Sequence, residues 1–262
     1  MIGAISGDII GSVFERKNIK SKEFQLFSHY SRFTDDTVLT IATMDSILNG
    51  KSFTKSYKEW FRKYPDVGFG GRFYTWGTSE DIKPYNSWGN GSAMRVSPIG
   101  YVYNSIEEVM LKAEESAEVT HNHIEGIKGA QAVATSIYLA KTGNGKEEIK
   151  KFIEKRFNYD LDESLYSIRK WYAFDVSCEG SVPQAIRAFL ESKDYEDAIR
   201  NAVSIGGDSD TIACMTGGIA EAYYKKVPQY IISEVYGMLP EEMVNIVKNF
   251  YESAIPDGGK VL

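Results

Sequence analysis

Cysteine is scarce in this chain of 262 residues: there are two. Cys178 and Cys214 lie far apart and form no C-x-x-C, which excludes a disulfide framework and a thiolate metal site and fits a reducing cytoplasm. Long apolar runs are also missing. None approaches the ~18 residues that a membrane helix needs. The N-terminal stretch MIGAISGDIIGSVFE is apolar, but Asp8 interrupts it and no basic flank precedes it, so it does not read as a signal peptide. Basic residues gather into no patch, and the net charge of −6 opposes a nucleic-acid backbone, although seventeen Tyr and thirteen Phe could support base stacking. No segment alternates with period two for more than a few residues, no strands pair around an Asn-Gly turn, and no repeat or linker divides the chain. With 43% hydrophobic residues there is enough apolar material for a packed core. These absences leave one cytoplasmic, all-α domain over residues 1–262, with neither a membrane nor a nucleic acid as partner.

The period that is present is helical. Residues 38–48 carry Val38, Ile41, Ala42, Met44 and Ile47 near helical spacing, and Gly50 supplies a stop. Ser105 and Glu108 stand in capping-box order ahead of Val109, Met110 and Ala113. Small and apolar residues recur at 124, 127, 130, 134 and 137, and TGNG at 142–145 ends that helix. Further helices are expected from Lys146, Asp162, Val182 and Asp194, with Pro228 and Pro240 in the first turns of the last two. Residues 64–92 are rich in glycine and aromatics and show no helical period, which predicts a long functional loop.

Two short stretches carry the chemistry. RFTDDTVLTIATM (32–44) and SIGGDSDTIACM (204–215) each place two aspartates and a threonine directly before an apolar helix. One carboxylate at a helix N-terminus is an ordinary cap. A second is superfluous for capping, and Gly206-Gly207 permits backbone conformations closed to other residues. Together the loops offer four aspartates and two threonine hydroxyls, an all-oxygen set suited to Mg²⁺ or Mn²⁺. Such a set suggests a dinuclear hydrolase, with a phosphoester and a glycosidic bond equally open as substrate. The 12-residue loop of a Ca²⁺ EF-hand is absent.

These stretches resemble the ADP-ribosylglycohydrolase family, which includes the dinitrogenase reductase-activating glycohydrolase and the ADP-ribosyl-acceptor hydrolases. The resemblance runs in order through GAISGDIIGSVFE (3–15), FTDDT (33–37), SWGNGSAMRVSPIG (87–100), TH (120–121) and GSVPQAIRAFLESKDYEDAIRNAVSIGGDSDTIACMTGGIAEAYY (180–224). It implies a compact orthogonal helical bundle. It also implies two Mg²⁺, or Mn²⁺, held by Thr34, Asp35, Asp36, Asp208, Asp210 and Thr211. The reaction implied is cleavage of the bond between C1″ of ADP-ribose and a protein side chain, arginine first and serine second, with release of ADP-ribose; the chain itself is expected to be a monomer.

By the same resemblance Glu15 is the general base or water-orienting residue, with Asp36 as runner-up. Ser87, Trp88, Gly89, Asn90, Gly91 and Ser92 wrap the ligand, Trp88 against the adenine, and His121 touches the ribose-phosphate. Arg95 is open between a phosphate clamp and a buried structural arginine. The chain departs from relatives at Asn86 and after Tyr223-Tyr224, where glycine is common. Two other readings stand beside hydrolysis of protein ADP-ribosylation: an ADP-ribose-binding module without catalysis, and a hydrolase acting on a non-protein acceptor.

Overall fold

The computed structural model describes residues 1–254; the last eight residues of the expected 1–262 domain lie outside the described residues. The described residues form fourteen α-helices and no strand. In chain order they are α1 (Ile2–Gly11), α2 (Asp35–Asn49), α3 (Phe53–Lys63), α4 (Gly71–Thr78), α5 (Ser97–Val102), α6 (Ile106–Glu118), α7 (Ile124–Lys141), α8 (Lys146–Phe157), α9 (Leu165–Trp171), α10 (Cys178–Leu190), α11 (Tyr195–Ile205), α12 (Ser209–Tyr224), α13 (Gln229–Met238) and α14 (Glu241–Ala254). The chain is an all-α bundle, as its periodicity predicts.

At its centre lies α12, packed against α1, α7, α10 and α11. Every residue from Ser209 to Ala222 is buried, so this helix has no solvent face and needs no polar stripe. Its closest partner is α1. A Cβ on Gly7 would stand 2.1 Å from the Ala213 carbonyl oxygen, and one on Gly11 would stand 2.5 Å from the Asp210 Cα. Glycine on one face of α1 therefore lets the two backbones touch, closer than side chains normally allow. The consequence is functional: α1 brings Asp8 and the turn carrying Glu15 to the N-terminal end of α12, where Asp208 and Asp210 sit.

Several local expectations shift. The 64–92 loop contains α4, a two-turn helix whose Phe73 and Trp76 are buried; its apolar face is too short, and too flanked by glycine, to show a period. The helix expected from Val182 begins at Cys178, because the Ser177 hydroxyl accepts from Gly180 N at 3.0 Å, and Pro183 lies inside it. The helix expected from Asp162 begins at Leu165 behind a Ser164 cap, and Pro228 is itself the cap of α13. Both departures from glycine fall where glycine would matter. Asn86 (φ 53°) and Lys225 (φ 54°) adopt the left-handed backbone that glycine adopts freely. The chain keeps the turn at both places and bears the small cost of a side chain.

Candidate active site

The two aspartate loops meet on the floor of a cavity of about 570 Å³, within the range of small-molecule sites. At the first loop Thr34 does the capping, its hydroxyl oxygen accepting from Asp36 N at 3.3 Å. That leaves the carboxylates of Asp35 and Asp36 out of the cap. At the second, Asp208 occupies the cap position of α12 but makes no side-chain cap. Its Oδ2 instead accepts from Asn90 Nδ2 at 2.7 Å, which ties the glycine-rich turn to the acidic floor. Gly206 and Gly207 both have positive φ. The Gly207 peptide is clamped by Asn18, whose Oδ1 accepts from Gly207 N at 2.6 Å and whose Nδ2 donates to Gly207 O at 2.9 Å.

Asp8, which the motif reading passes over, is central. Buried in α1, its carboxylate accepts from Thr34 N at 2.9 Å, Thr34 Oγ1 at 2.6 Å, Thr37 N at 3.1 Å and the Thr37 hydroxyl. The Thr34 proton thus goes to Asp8, and Thr34 Oγ1, which accepts from Asp36 N, keeps one lone pair for the site. The signal was present in the sequence, as a single charge inside an otherwise apolar helix.

Asp8, Asp36 and Asp210 place carboxylate oxygens within 4.8 Å of one another. None of the six acids Asp8, Glu15, Asp35, Asp36, Asp208 and Asp210 forms a salt bridge among the described residues. Asp36 Oδ2 accepts from Thr211 Oγ1 at 3.2 Å, but its buried Oδ1 has no hydrogen-bond partner. An orphaned anionic oxygen among oxygen donors fits a hard divalent cation, and Thr34, Asp35, Asp36, Asp208, Asp210 and Thr211 are placed to hold one.

Protein alone leaves these acids badly solvated. Burial, then the Asp8 charge, pushes Asp35 up to about 8. Asp36 and Asp210 rise for the same first reason and through their acidic neighbours, and Asp8 rises by burial against four hydrogen bonds that pull it down. A carboxylate whose folded pKa lies above its unfolded value favours folding while protonated, and that contribution is lost as pH rises through the folded pKa. In EDTA the protein is therefore expected to lose stability from about pH 4 to about pH 8. Ligand deprotonation strengthens cation binding over the same window. Thermal melts with EDTA and with excess Mg²⁺ should diverge by at least about 5 °C by pH 8, roughly 2 kcal/mol. Parallel melts across the range would show that no cation binds this floor.

The walls are unequal. Glu15 follows α1 in a turn and, half-buried, lines the cavity, as do Ser87, Gly89, Asn90, Gly91 and His121. Burial, reinforced by Arg95 and Arg72, holds His121 well below the usual histidine range, so the ring is neutral. Trp88 and Ser92 are not on the wall. The Trp88 carbonyl accepts from Cys178 N at 3.0 Å, while the side chain, 53% exposed, lies outside against His123. Ser92 is buried behind the turn, donating to Gly126 O at 2.7 Å. The apolar lining includes Leu39, Val67 and Met94 and the exposed Phe174 and Val176, and cationic groups come from Arg16, Arg32 and Arg72. Of Phe174, Val176 and the three arginines, only Arg32, at the head of the 32–44 stretch, lies within a motif.

Comparison with known proteins agrees with the fold. Mouse ADP-ribosylhydrolase ARH3 is 26% identical, with 87% of this chain and 84% of the mouse protein covered. The human ARH3 is also 26% identical, over 86% of this chain and 84% of its own length. An uncharacterized protein of Archaeoglobus fulgidus is 29% identical, over 87% and 88%. A solved structure described as an ADP-ribosylglycohydrolase-related protein complex superposes with a TM-score of 0.64 at 22% identity, covering 96% of this chain and 93% of that one, and so shares the fold. A family model described as ADP-ribosylglycohydrolase matches residues 1–258, and on that match this chain belongs to the ADP-ribosylglycohydrolase family.

Proposed function

We propose that this glycosylase-type hydrolase uses two divalent ions, Mg²⁺ first and Mn²⁺ second, to cleave the C1″ bond of mono-ADP-ribosylated side chains. The observation that carries the reading is the convergence of Asp35, Asp36, Asp208 and Asp210 on the floor of one cavity, with Asp8 buried beside Asp36 and Asp210 and with Glu15, Ser87, Gly89, Asn90 and Gly91 on its wall. When bound, the cations would supply charge neutralisation and an acidified water. Glu15, outside the tight carboxylate cluster, accepts a proton from the attacking water as its oxygen bonds to C1″. The bond from C1″ to the acceptor breaks, and the departing nitrogen or oxygen takes up a proton. Asp36 is the alternative base, through its unpartnered Oδ1. His121 and the glycine-rich turn hold the ribose-phosphate.

Arginine is the first acceptor to test and serine the second, because Asp66 stands exposed at the cavity without an ion-pair partner among the described residues, a carboxylate suited to a guanidinium. The protein is read as a cytoplasmic monomer acting as one unit over 1–262. The test is mass spectrometry of arginine- and serine-ADP-ribosylated peptides with Mg²⁺ or EDTA. Intact ADP-ribose should be released in a metal-dependent way, and Glu15→Gln should lower kcat by about 10²–10⁴-fold while ADP-ribose still binds. Release of AMP would instead indicate attack on the pyrophosphate, and ADP-ribose binding without turnover would indicate a binding module.

A further inference from the structure

Among the described residues Arg95 is the largest fully buried side chain and has no acidic partner. Its guanidinium lies 4.3 Å from the centre of the Tyr57 ring. One nitrogen, Nη2, donates to Ser116 O at 2.6 Å and to Thr120 Oγ1 at 3.0 Å, while Nε and Nη1 are unpartnered. A buried, incompletely satisfied cation is costly to the fold, so fold stability alone does not account for it. What it touches does. Thr120 Oγ1 lies 2.7 Å from His121 Nδ1, and the Nε2 edge of that ring faces the turn, within 3.2 Å of where a Cβ on Gly91 would be.

We infer that Arg95 and Thr120 are positioning residues that lock His121 in a single neutral tautomer, Nδ1 unprotonated and Nε2–H offered to the cavity. Arginine only donates, so Thr120 Oγ1 accepts from it and must give its own proton elsewhere. Nδ1, 2.7 Å away, is the nearest acceptor, and the Tyr85 hydroxyl oxygen is its competitor for that proton. A ring held this way is a fixed hydrogen-bond donor to an anionic or hydroxyl oxygen, and cannot switch to acceptor. This rests on the proposed function only for the identity of that oxygen, which would belong to the ADP-ribosyl group.

The chain has three histidines, so the imidazole nitrogens of ¹⁵N-labelled protein can be resolved by long-range ¹H–¹⁵N NMR, with His121→Gln for assignment. At neutral pH His121 should show the Nε2–H tautomer alone. Thr120→Val, which keeps the shape but removes the hydroxyl, should give a mixture of tautomers, and Thr120→Ser should restore one. By calorimetry ADP-ribose should bind about tenfold more weakly to Thr120→Val and normally to Thr120→Ser. An Nδ1–H tautomer or an imidazolium in the parent, or an unchanged tautomer in Thr120→Val, overturns the inference. So does a mixed tautomer with unaltered ADP-ribose binding. If the tautomers behave as stated but the parent binds no ADP-ribose, the lock stands and the proposed function falls.

Discussion

Asp36→Asn is expected to abolish activity and yet make the metal-free protein more stable. The two effects have one cause. Asp36 is the buried acid with an orphaned oxygen, pushed well above the ordinary carboxylate range by burial first and then by Asp8, Asp35 and Asp208. Without a cation its charge is a cost to the folded state, because nothing cationic pairs with it and three like charges surround it. Asparagine removes that charge at nearly constant volume. Its amide can also donate toward the neighbouring carboxylates. Melting in EDTA near pH 8 should therefore rise by about 2–4 °C, corresponding to roughly 1 kcal/mol. The same change removes an anionic ligand from the cation set. Mg²⁺ affinity by calorimetry should fall by at least about 100-fold and kcat/KM by at least about 10³-fold. A variant that is less stable in EDTA and still hydrolyses would mean that Asp36 is a structural acid, satisfied in some other way. Stability gained with affinity unchanged would place the cation on Asp208 and Asp210 alone.

Such a site is legible in sequence to the extent that its residues advertise a conflict with the ordinary roles of their neighbours. Two carboxylates before one helix exceed what capping requires, and the structure shows the excess directly: Thr34 caps, and Asp208 at a cap position does not. The all-α bundle is legible because α6 and α8 bury one face at a spacing of three to four residues, and α2 and α7, buried on nearly every side, still carry apolar residues near that spacing. The start of α10 is less so, since proline at 183 reads as a first turn and only the Ser177 hydroxyl shows otherwise. Trp88 illustrates a harder limit. Its position beside a glycine turn fits a ligand wall, but which way the ring points depends on the backbone bond from Cys178 N to Trp88 O, ninety residues away in the chain. Phe174, Val176 and Arg72 reach the cavity for tertiary reasons of the same kind. Asp8 was visible in the sequence and misread, because a lone charge in an apolar helix also argues against a signal peptide.

The second large effect is expected at Gly7, a residue with no functional group. In Gly7→Ala the new methyl would lie 2.1 Å from the Ala213 carbonyl oxygen and 2.4 Å from its carbon. Both are main-chain atoms inside a fully buried helix, so no side chain can swing aside. Relief requires α1 and α12 to separate, and these are the two helices that bring Asp8 and Asp210 together. Overpacking of this kind costs about 1–3 kcal/mol where neighbours relax and more where they do not, so a loss of at least about 3 kcal/mol is expected by urea denaturation. The site should register the same displacement. Mg²⁺ affinity should fall even in the fraction that stays folded, because Asp8 fixes the Thr34 hydroxyl and moves with α1. Gly237→Ala is the matched control. Gly237 is exposed inside α13, and a Cβ there meets nothing within 4 Å. Alanine should stabilise that helix by about 0.5–1 kcal/mol and leave cation binding unchanged. Equal, small effects at both positions would mean that the contact between α1 and α12 can yield, and that the convergence of the acids does not depend on two backbones touching.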